Sequence, residues 1–481
     1  MHPINPIAMF KNKSITSAGK SLLYVGIGVL SILNGIAQET KWSATLENQL
    51  LIGTGNNLPF WFTHNQLGRY NANEPIQDLT EASFIGNNDF SSIKLNYGTT
   101  IGLLSTKNKI APILTQAFAR ATWKGFAFEG GAFAEKEEMG GLSTSNGNLI
   151  RSLDSKPYPK IRFGTDGYIP FLFGKKWLRY SAEYDEGLTS LDDRAVVESA
   201  HLHHKSLSVQ VAASKSLRIS AGLNHYVFWG GTSNQIAMPD DFHSYLLYIT
   251  GSSGGSDFPG TDQINRAGNQ LGAYNITLEK EFSNSSLQLW VSHPFEDISG
   301  MQLTNWRDNQ WSLHFQKKKT GTWLDECVLE YIYTKHQSGG QTAPEPGYIR
   351  AKDNYFNNGV YKTGFSYMGY SMGTPLFGPI VERADGRIYG FSNNRITALH
   401  LGGKGYITPK LQWKTLLTWT NNFGTYHVPL TPSVKKFYSF AEVNWHCSKR
   451  PFVLTGKIEE DFNGLSNNAF GAALGLKWLI H

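Results

Sequence analysis

Aromatic residues with neighbouring amide and guanidinium groups recur in three long polar segments of the chain. Flat aromatic rings suit the apolar C–H faces of sugars, whereas amides and guanidinium groups hydrogen-bond to hydroxyl or acidic substituents. The alternative is that these rings pack the segments against the rest of the protein. The candidate glycan-binding residues are Phe242, Tyr245, Tyr248, Trp306, Arg307, Tyr348, Arg350 and Asn354.

No group of residues makes a convincing catalytic site. Gly251–Gly255 fits the pattern G-x-S-x-G, but that nucleophile requires a strand-to-helix turn, and the following sequence predicts a surface loop. Glu296–Asp297 and Glu459–Asp461 are acid runs whose neighbouring residues point to opposite faces of a strand, unlike the facing carboxylates of a glycosidase. We therefore predict that the protein is not an enzyme and uses no cofactor.

A cluster of three histidines is the best candidate for metal binding. His201 and His203 would share one face of a strand, whereas His204 would lie on the other. No cysteine lies nearby to complete a ligand set, and a polar position at a rim or in a lumen explains the cluster equally well. We predict no metal site.

Extended strands must position these residues, because apolar residues recur at every second position from Ile93 to Ile480. Phe470, Ala472, Leu474 and Leu476 would share one face of a strand, with smaller or polar residues on the other. Such alternation fits a soluble sandwich or a membrane barrel with one face in lipid and one in a wet lumen.

Connection lengths favour the barrel, because short and long connections alternate along the chain. Short turns are predicted near 214–215, 284–285, 402–408 and 449–450, and long loops at 230–268, 294–307 and 336–355. The pattern predicts an all-β protein, a closed antiparallel transmembrane β-barrel of about 18 strands with short periplasmic turns and long extracellular loops. One further strand is expected between Gly373 and Phe391.

The N-terminal region predicts export. Residues 1–37 combine three lysines, a short apolar run and a Gly-Ile-Ala cleavage pattern, which indicates a signal peptide. We assign residues 38–90 to first strands or a periplasmic-side plug, and 91–481 to the barrel. The predicted location is the outer membrane of a Gram-negative bacterium, with outer-membrane lipid and the barrel-assembly machinery as partners.

Charge and cysteine content limit the remaining classes. Without residues 1–37 the chain has 41 basic and 38 acidic residues, which does not favour nucleic-acid binding. Cys327 and Cys447 are the only cysteines. They would form one disulfide or remain as two buried thiols, and their position among alternating apolar residues favours the thiols.

Several short strings, in order along nearly the whole mature chain, resemble those of Wzi-like capsule assembly proteins of the Bacteroidetes type. The resemblance implies a barrel of about eighteen strands that binds capsular polysaccharide or exopolysaccharide as a lectin-like surface anchor, without enzymatic activity. The helical bundle that closes the periplasmic mouth in the enterobacterial type has no counterpart pattern after Gln38. The strings are residues 58–68, 228–231, 268–272, 293–301, 353–358, 372–376 and 393–396.

Three functions follow as alternatives. The favoured one is non-enzymatic binding of surface polysaccharide through the long loops. A porin-like channel for small solutes or oligosaccharides is the second, since a mixed-charge lumen would suffice. An outer-membrane hydrolase is the third, and it lacks a convincing nucleophile.

Overall fold

The computed structural model describes residues 39–171, 176–233, 236–339, 353–447, 450–464 and 468–480. The predicted signal peptide at 1–37, Lys449 of one predicted turn, and the candidate residues Tyr348 and Arg350 lie outside these ranges. Within them, no helix is long and apolar enough to cross a membrane. The four short helices are α1 (Phe60–Thr63), α2 (Phe242–Thr250), α3 (Gly260–Ile264) and α4 (Ile298–Met301).

The described residues form a wall of eighteen long strands. In chain order they are β1 (Glu39–Gly53), β2 (Ile76–Phe90), β3 (Ile93–Thr106), β4 (Ile110–Trp123), β5 (Phe126–Ala132), β6 (Pro159–Thr165), β7 (Leu178–Leu188), β8 (His201–Ser214), β9 (Leu217–Trp229), β10 (Asn269–Glu281), β11 (Ser285–Phe295), β12 (Asn309–Lys317), β13 (Glu326–Tyr333), β14 (Ile396–Thr408), β15 (Leu411–Gly424), β16 (Pro429–His446), β17 (Phe452–Asn463) and β18 (Ala469–Ile480). A short strand, Ile169–Pro170, pairs with β7.

The wall closes on itself. Each strand pairs antiparallel with the next, and β1 also pairs with β18, with Gln49 opposite Gly475. Closure leaves no unpaired edge, which is the condition for a sheet to lie in lipid. The predicted fold, a closed antiparallel transmembrane barrel of about 18 strands, is confirmed. Residues 38–90, assigned to first strands or a plug, contribute β1 and β2.

The two faces of the wall differ in chemistry. Along β18 the outward Leu474 and Leu476 are exposed, whereas the inward Ala473 is buried. A continuous exposed apolar face of this kind is typical of a lipid-facing barrel and not of a soluble sheet. Exposed apolar residues on other strands include Leu46, Ile52, Ile101, Leu103, Leu114, Ile161, Leu207, Ile219, Ile276, Leu313, Leu329, Leu401 and Leu454.

The two ends of the barrel carry different connections. At the short-turn end, strands join through connections such as 91–92, 215–216 and 409–410. At the long-loop end they join through 54–75, 133–158, 230–268, 296–308 and 334–395, together with short turns such as 107–109. Long loops therefore concentrate at one end, although the alternation is less regular than predicted.

Two details of the predicted assignment of strands and turns are wrong. Residues 402–408 are part of β14 and not a turn. Their glycines permit close approach, since a Cβ on Gly402 would lie 2.6 Å from the Leu142 carbonyl oxygen. Between Gly373 and Phe391, strands Ile380–Glu382 and Ile388–Phe391 form a separate hairpin within loop 334–395. A hairpin has the same two-residue period as a wall strand, so the sequence pattern does not distinguish them.

Long loops fold back into the lumen and fill it. Loop 54–75 enters first, and Arg69 pairs with Glu81 of the wall at 2.7 Å. Loop 334–395 packs on loop 133–158, where the amide of Thr374 donates to the Leu149 carbonyl at 2.7 Å. Their side chains form most of the buried core, including Trp61, Tyr70, Leu142, Leu149, Ile150, Tyr355, Phe356, Phe365 and Tyr367. In the described residues the plug is therefore made of irregular loops with two single helical turns, Phe60–Thr63 and Met139–Gly141, and short hairpins, and not of a helical bundle.

Loop 133–158 crosses almost the full depth of the barrel. The Glu330 carboxylate, fully buried on β13, accepts hydrogen bonds from the Thr144 amide at 2.8 Å and the Ser143 hydroxyl at 2.6 Å. Further along, Lys404 donates to the Gly140 carbonyl at 2.9 Å and pairs with Glu326, the first residue of β13 beside the short-turn end. The wall therefore holds the loop at several depths.

Ion pairs also hold this loop to the wall. Glu135 of the loop contacts Lys160 at 2.6 Å and Arg162 at 2.8 Å, and it also pairs with Arg151. Arg162 also forms an ion pair with Asp185 of β7, at 2.5 Å. Paired and hydrogen-bonded charges of this kind remain ionised in a buried site.

Both cysteines are free thiols and each is half-buried. The prediction of two thiols rather than a disulfide is confirmed, but both are less buried than predicted. Both lie on the barrel wall or at its edge, where one face of the sheet is open.

Candidate ligand-binding surface

A capped helix organises loop 230–268 at the long-loop end. Asp241 accepts hydrogen bonds from the amides of His243, at 2.9 Å, and Ser244, at 3.2 Å. These bonds satisfy the free N–H groups of α2. The Ser244 hydroxyl, which donates to Asp241 at 2.5 Å, and the two amides lower the pKa of the Asp241 carboxyl. Gly251 ends the helix at φ 65°, a left-handed conformation that favours glycine.

Helix α2 docks on the outer face of the barrel. The Tyr245 hydroxyl contacts Tyr184 and donates to Glu186 at 2.5 Å, and Lys205 donates to the Ile249 carbonyl. Tyr248 is fully buried against Phe258, with ring centres 5.2 Å apart. Tyr245 and Tyr248 therefore fasten the loop to the wall, the alternative role considered for them from the sequence.

Three candidate residues remain accessible at this end. Trp306 is 64% exposed and Phe242 is 75% exposed. The guanidinium carbon of Arg307 lies 5.2 Å from the centre of the Trp306 ring. The pair presents an open aromatic face and a cation together, the combination that binds a ring hydroxyl or an acidic sugar substituent.

A buried polar cluster supports the loop that carries Trp306. Asp353 accepts hydrogen bonds from Ser338 at 2.7 Å and Ser299 at 3.2 Å. Burial, with the nearby Asp297 charge, raises the pKa of Asp353 to about 7. Burial also raises the pKa of Asp308 to about 6.

Asn354 belongs to this support and not to an open surface. Its side-chain oxygen accepts hydrogen bonds from Asn394 at 2.7 Å and Asn357 at 3.1 Å. Asn394 lies at the end of loop 334–395 that rejoins the wall, and Asn357 lies further back in the same loop. Asn354 thus stabilises the inward course of this loop.

A groove lies between loops 230–268 and 296–308 on the outer face of the barrel rim. Its volume is about 340 Å³. None of the six candidate residues that the structure describes lines it. The lining residues are Lys205, Leu223, His225, Ile249, Thr250, Gly251, Arg266, Gln270, Tyr274, Phe295, Glu296 and Met301.

The histidine cluster divides between the two faces of the wall, as strand geometry requires. His203 faces outward and its Nδ1 lies 2.6 Å from Glu186, whereas His204 faces the lumen with its Nδ1 3.2 Å from Asp185. His201 stacks on Trp229 with ring centres 4.3 Å apart. Among the described residues, no group of three or more His, Cys, Asp or Glu side chains has an arrangement that would hold a metal ion.

Cavities between the plug and the wall are small. One beside Arg151 and Lys156 has a volume of about 30 Å³, and one beside Lys414 and Glu442 has about 70 Å³. A water molecule occupies about 30 Å³ in the liquid, so these spaces hold a few waters at most.

The eighteen-strand closed wall matches a known architecture. The fold is similar to that of Wzi. Wzi of Escherichia coli, a carbohydrate-binding outer-membrane β-barrel involved in group 1 capsule assembly, superimposes with a TM-score of 0.55 at 13% identity, over 97% of this chain and 89% of Wzi. The Wzi-like resemblance inferred from the sequence is thus confirmed at the level of the fold.

Other barrels are less similar. OpdQ of Pseudomonas aeruginosa gives a TM-score of 0.49 at 8% identity, covering 93% of this chain and 99% of OpdQ. OpdO of the same organism gives 0.48 at 10% identity, covering 93% and 98%. No protein-family profile matches the sequence. No curated protein matches it either. The architecture and its apolar belt are those of an outer-membrane β-barrel protein.

Proposed function

We propose that this protein is a non-enzymatic outer-membrane barrel that binds capsular polysaccharide or exopolysaccharide and holds it at the cell surface. The short-turn end faces the periplasm and the long-loop end faces the exterior, because outer-membrane barrels have short periplasmic turns and longer extracellular loops. The glycan binds at the long-loop end. Its similarity in fold to Wzi, a carbohydrate-binding barrel, supports this proposal.

The filled lumen favours a role in binding over a role in transport. Loops 54–75 and 133–158 and the described part of loop 334–395 occupy the barrel interior, and wall carboxylates such as Glu330 hold them there. A channel for small solutes requires a continuous aqueous path, which large barrels obtain by leaving the interior open. The plug therefore favours a binding protein over the porin-like alternative.

The exposed Trp306–Arg307 pair gives the surface its chemistry. An aromatic ring left in water at a loop tip has no packing role, and an adjacent guanidinium group adds a fixed pattern of donors. Phe242 offers a second exposed ring in the neighbouring long loop. We propose that sugar rings stack on Trp306 and Phe242 while Arg307 binds hydroxyl or carboxylate groups.

Capsule retention tests the proposal directly. In the native host, a deletion strain is complemented with the wild-type gene, with Trp306→Ala plus Arg307→Gln, or with Trp323→Ala as a control. Trp323 is exposed and lies between β12 and β13 at the short-turn end. We expect the double variant to release polysaccharide into the medium as the deletion does, and Trp323→Ala to retain it.

Two outcomes would contradict this function. Retained polysaccharide in the deletion strain itself would exclude a role in attachment. Reduced uptake of small solutes with the polysaccharide still attached would favour a channel. Heat-modifiable migration of each variant confirms that its barrel is folded.

A further inference from the structure

The groove at the outer rim continues directly into the lipid-facing belt. Leu223 of β9 lies opposite Tyr274 of β10, and both line the groove. Two positions further along each strand, on the same outward face, lie Ala221 and the exposed Ile276. An acyl chain lying on the belt can therefore reach the groove without crossing a polar barrier.

The upper part of the groove is cationic. Lys205 and Arg266 both line it, and within the described part of the chain neither forms an ion pair with a carboxylate. The carboxyl group of Glu296, which also lines it, accepts a hydrogen bond from the Phe356 amide at 2.5 Å. An anionic group in this groove would meet two cations whose charges are not already neutralised.

Two buried nitrogen atoms in the groove have no partner. His225 is 8% exposed and its Nε2 lies 2.6 Å from Gln270, but its Nδ1 makes no hydrogen bond. The Nε of Arg266 is also buried, with no partner among the described residues. The Gln270 amide nitrogen donates to two carbonyl groups, so its oxygen accepts from Nε2 of His225 and leaves Nδ1 as an acceptor. Because buried polar atoms are normally satisfied, a ligand oxygen would complete Arg266 and a ligand hydroxyl would complete His225.

We infer that this groove binds the phosphorylated headgroup of an anionic glycolipid from the outer leaflet, with its acyl chains on the apolar belt below. The phosphate oxygens accept hydrogen bonds from Arg266 and Lys205, a headgroup hydroxyl donates to Nδ1 of His225, and the chains pack on Leu223, Tyr274 and Ile276. The inference uses the orientation proposed above but concerns a different ligand and a different surface from the polysaccharide site.

Lipid binding to the purified full-length barrel in detergent tests the inference. Native mass spectrometry would measure retention of bisphosphorylated lipid A, of the same lipid with both phosphates removed, and of phosphatidylethanolamine. Inorganic phosphate is added as a competitor in a fourth arm. We expect bisphosphorylated lipid A to bind about tenfold more tightly than its dephosphorylated form, because charge-assisted hydrogen bonds are lost with the phosphates.

Arg266→Gln is the decisive variant, because Arg266 holds no described ion pair that its loss would break. We expect it to weaken lipid A binding about tenfold, while Lys107→Gln, an exposed lysine in another turn at the same end, leaves it unchanged. Equal binding by Arg266→Gln and wild type, or by both forms of the lipid, would overturn the inference. Complete displacement of the lipid by inorganic phosphate would show an anion site without lipid recognition, which also contradicts it.

The polysaccharide proposal and the lipid proposal can be tested independently of each other. Arg266→Gln should retain capsule like the wild type, and the Trp306→Ala plus Arg307→Gln variant should bind lipid A like the wild type. Loss of capsule retention in Arg266→Gln would show that the groove belongs to the polysaccharide site, and the lipid assignment would then be wrong.

Discussion

The backbone amide of Trp61 donates a hydrogen bond to Oε1 of Glu459 over 2.6 Å, although the two residues lie 398 positions apart. The adjacent Phe60 amide donates to Oδ2 of Asp461 at 2.8 Å. These amides begin α1 and have no partner within the helix, so two wall carboxyl groups serve as its caps. The first loop of the plug is thereby tied to the next-to-last strand of the wall.

Glu459→Ala should loosen loop 54–75 within the lumen. The substitution leaves the Trp61 amide buried without an acceptor, which costs about 1–3 kcal/mol. Urea unfolding in detergent micelles would measure the loss, and hydrogen exchange would locate it in residues 58–65. Glu460→Ala is the matched control, since the exposed Glu460 side chain lies on the other face of the same strand. Equal effects of the two substitutions would contradict the capping role.

Glu135→Gln should destabilise the plug more strongly. Burial acts to raise the pKa of Glu135, but Arg151, Arg162 and Lys160 lower it well below the usual value. The carboxylate therefore contributes stability that is present above its unfolded pKa and lost as pH falls through its folded pKa. We expect a loss of about 3–5 kcal/mol at neutral pH, because three buried cations lose their shared partner.

Urea unfolding of the Glu135→Gln variant has a control on the same loop. Glu138 pairs with Lys136 at 3.0 Å, but the lysine side chain is 82% exposed. Glu138→Gln should change the free energy of unfolding by about 0–1 kcal/mol. A Glu135 variant no less stable than this control would show that the ion network does not hold the plug.

Tyr248→Ala and Phe242→Ala should separate support from recognition within one helix. Tyr248 is fully buried, so its truncation should cost about 3–5 kcal/mol of loop docking and expose residues 230–268 to hydrogen exchange. Phe242 projects into solvent, so its truncation should stay within about 0.5 kcal/mol and weaken only glycan binding. Unchanged protection in Tyr248→Ala would mean that α2 does not depend on this ring.

The Asp353 cluster should make loop attachment depend on pH. An aspartate with a pKa of about 7 in the folded state and about 3.9 when unfolded favours folding while it is protonated. Attachment is therefore strongest below the unfolded pKa and weakens as pH rises toward the folded value. We expect protection of residues 353–364 from hydrogen exchange to fall about eightyfold between pH 5 and pH 8, after correction for intrinsic exchange.

Asp353→Asn should reduce that pH dependence, because the amide imitates the neutral acid. A residual slope is expected from Glu296 and Asp308, whose pKa values burial also raises. An unchanged slope in Asp353→Asn would assign the effect to those two groups instead.

The barrel wall could be predicted from the sequence because its signal is local. The side chains of β18 alternate between lipid and lumen, so the chemistry of each residue identifies its face. The loops that form the plug have no such alternation of apolar and polar side chains. Leu149, Ile150 and Phe356 are buried in irregular segments, and their partners lie on distant strands, so their position depends on closure of the whole wall.

Part of the candidate site could also be predicted from local signals in the sequence. Asp241 and Gly251 bracket an apolar run and are the usual signals for the two ends of a helix, which would have predicted α2 and its buried tyrosine. The rim groove also has a signal in the sequence, because the outward-facing residues of β8 change from the apolar Val209 and Leu207 to the polar Lys205 and His203. Which loops enclose these polar residues depends on tertiary packing.

The pairing of β1 with β18 constrains how the molecule is made. Gly53 faces Gly471, so the first strand has no final neighbour until almost the entire chain has been synthesised. Until then the outer edges of the incomplete sheet are unpaired and can pair with other chains. The contacts between β1 and β18 that close the barrel join residues that are among the most distant in the sequence. We therefore expect assembly to depend on a factor that shields two edges and releases the chain only when its final strand arrives.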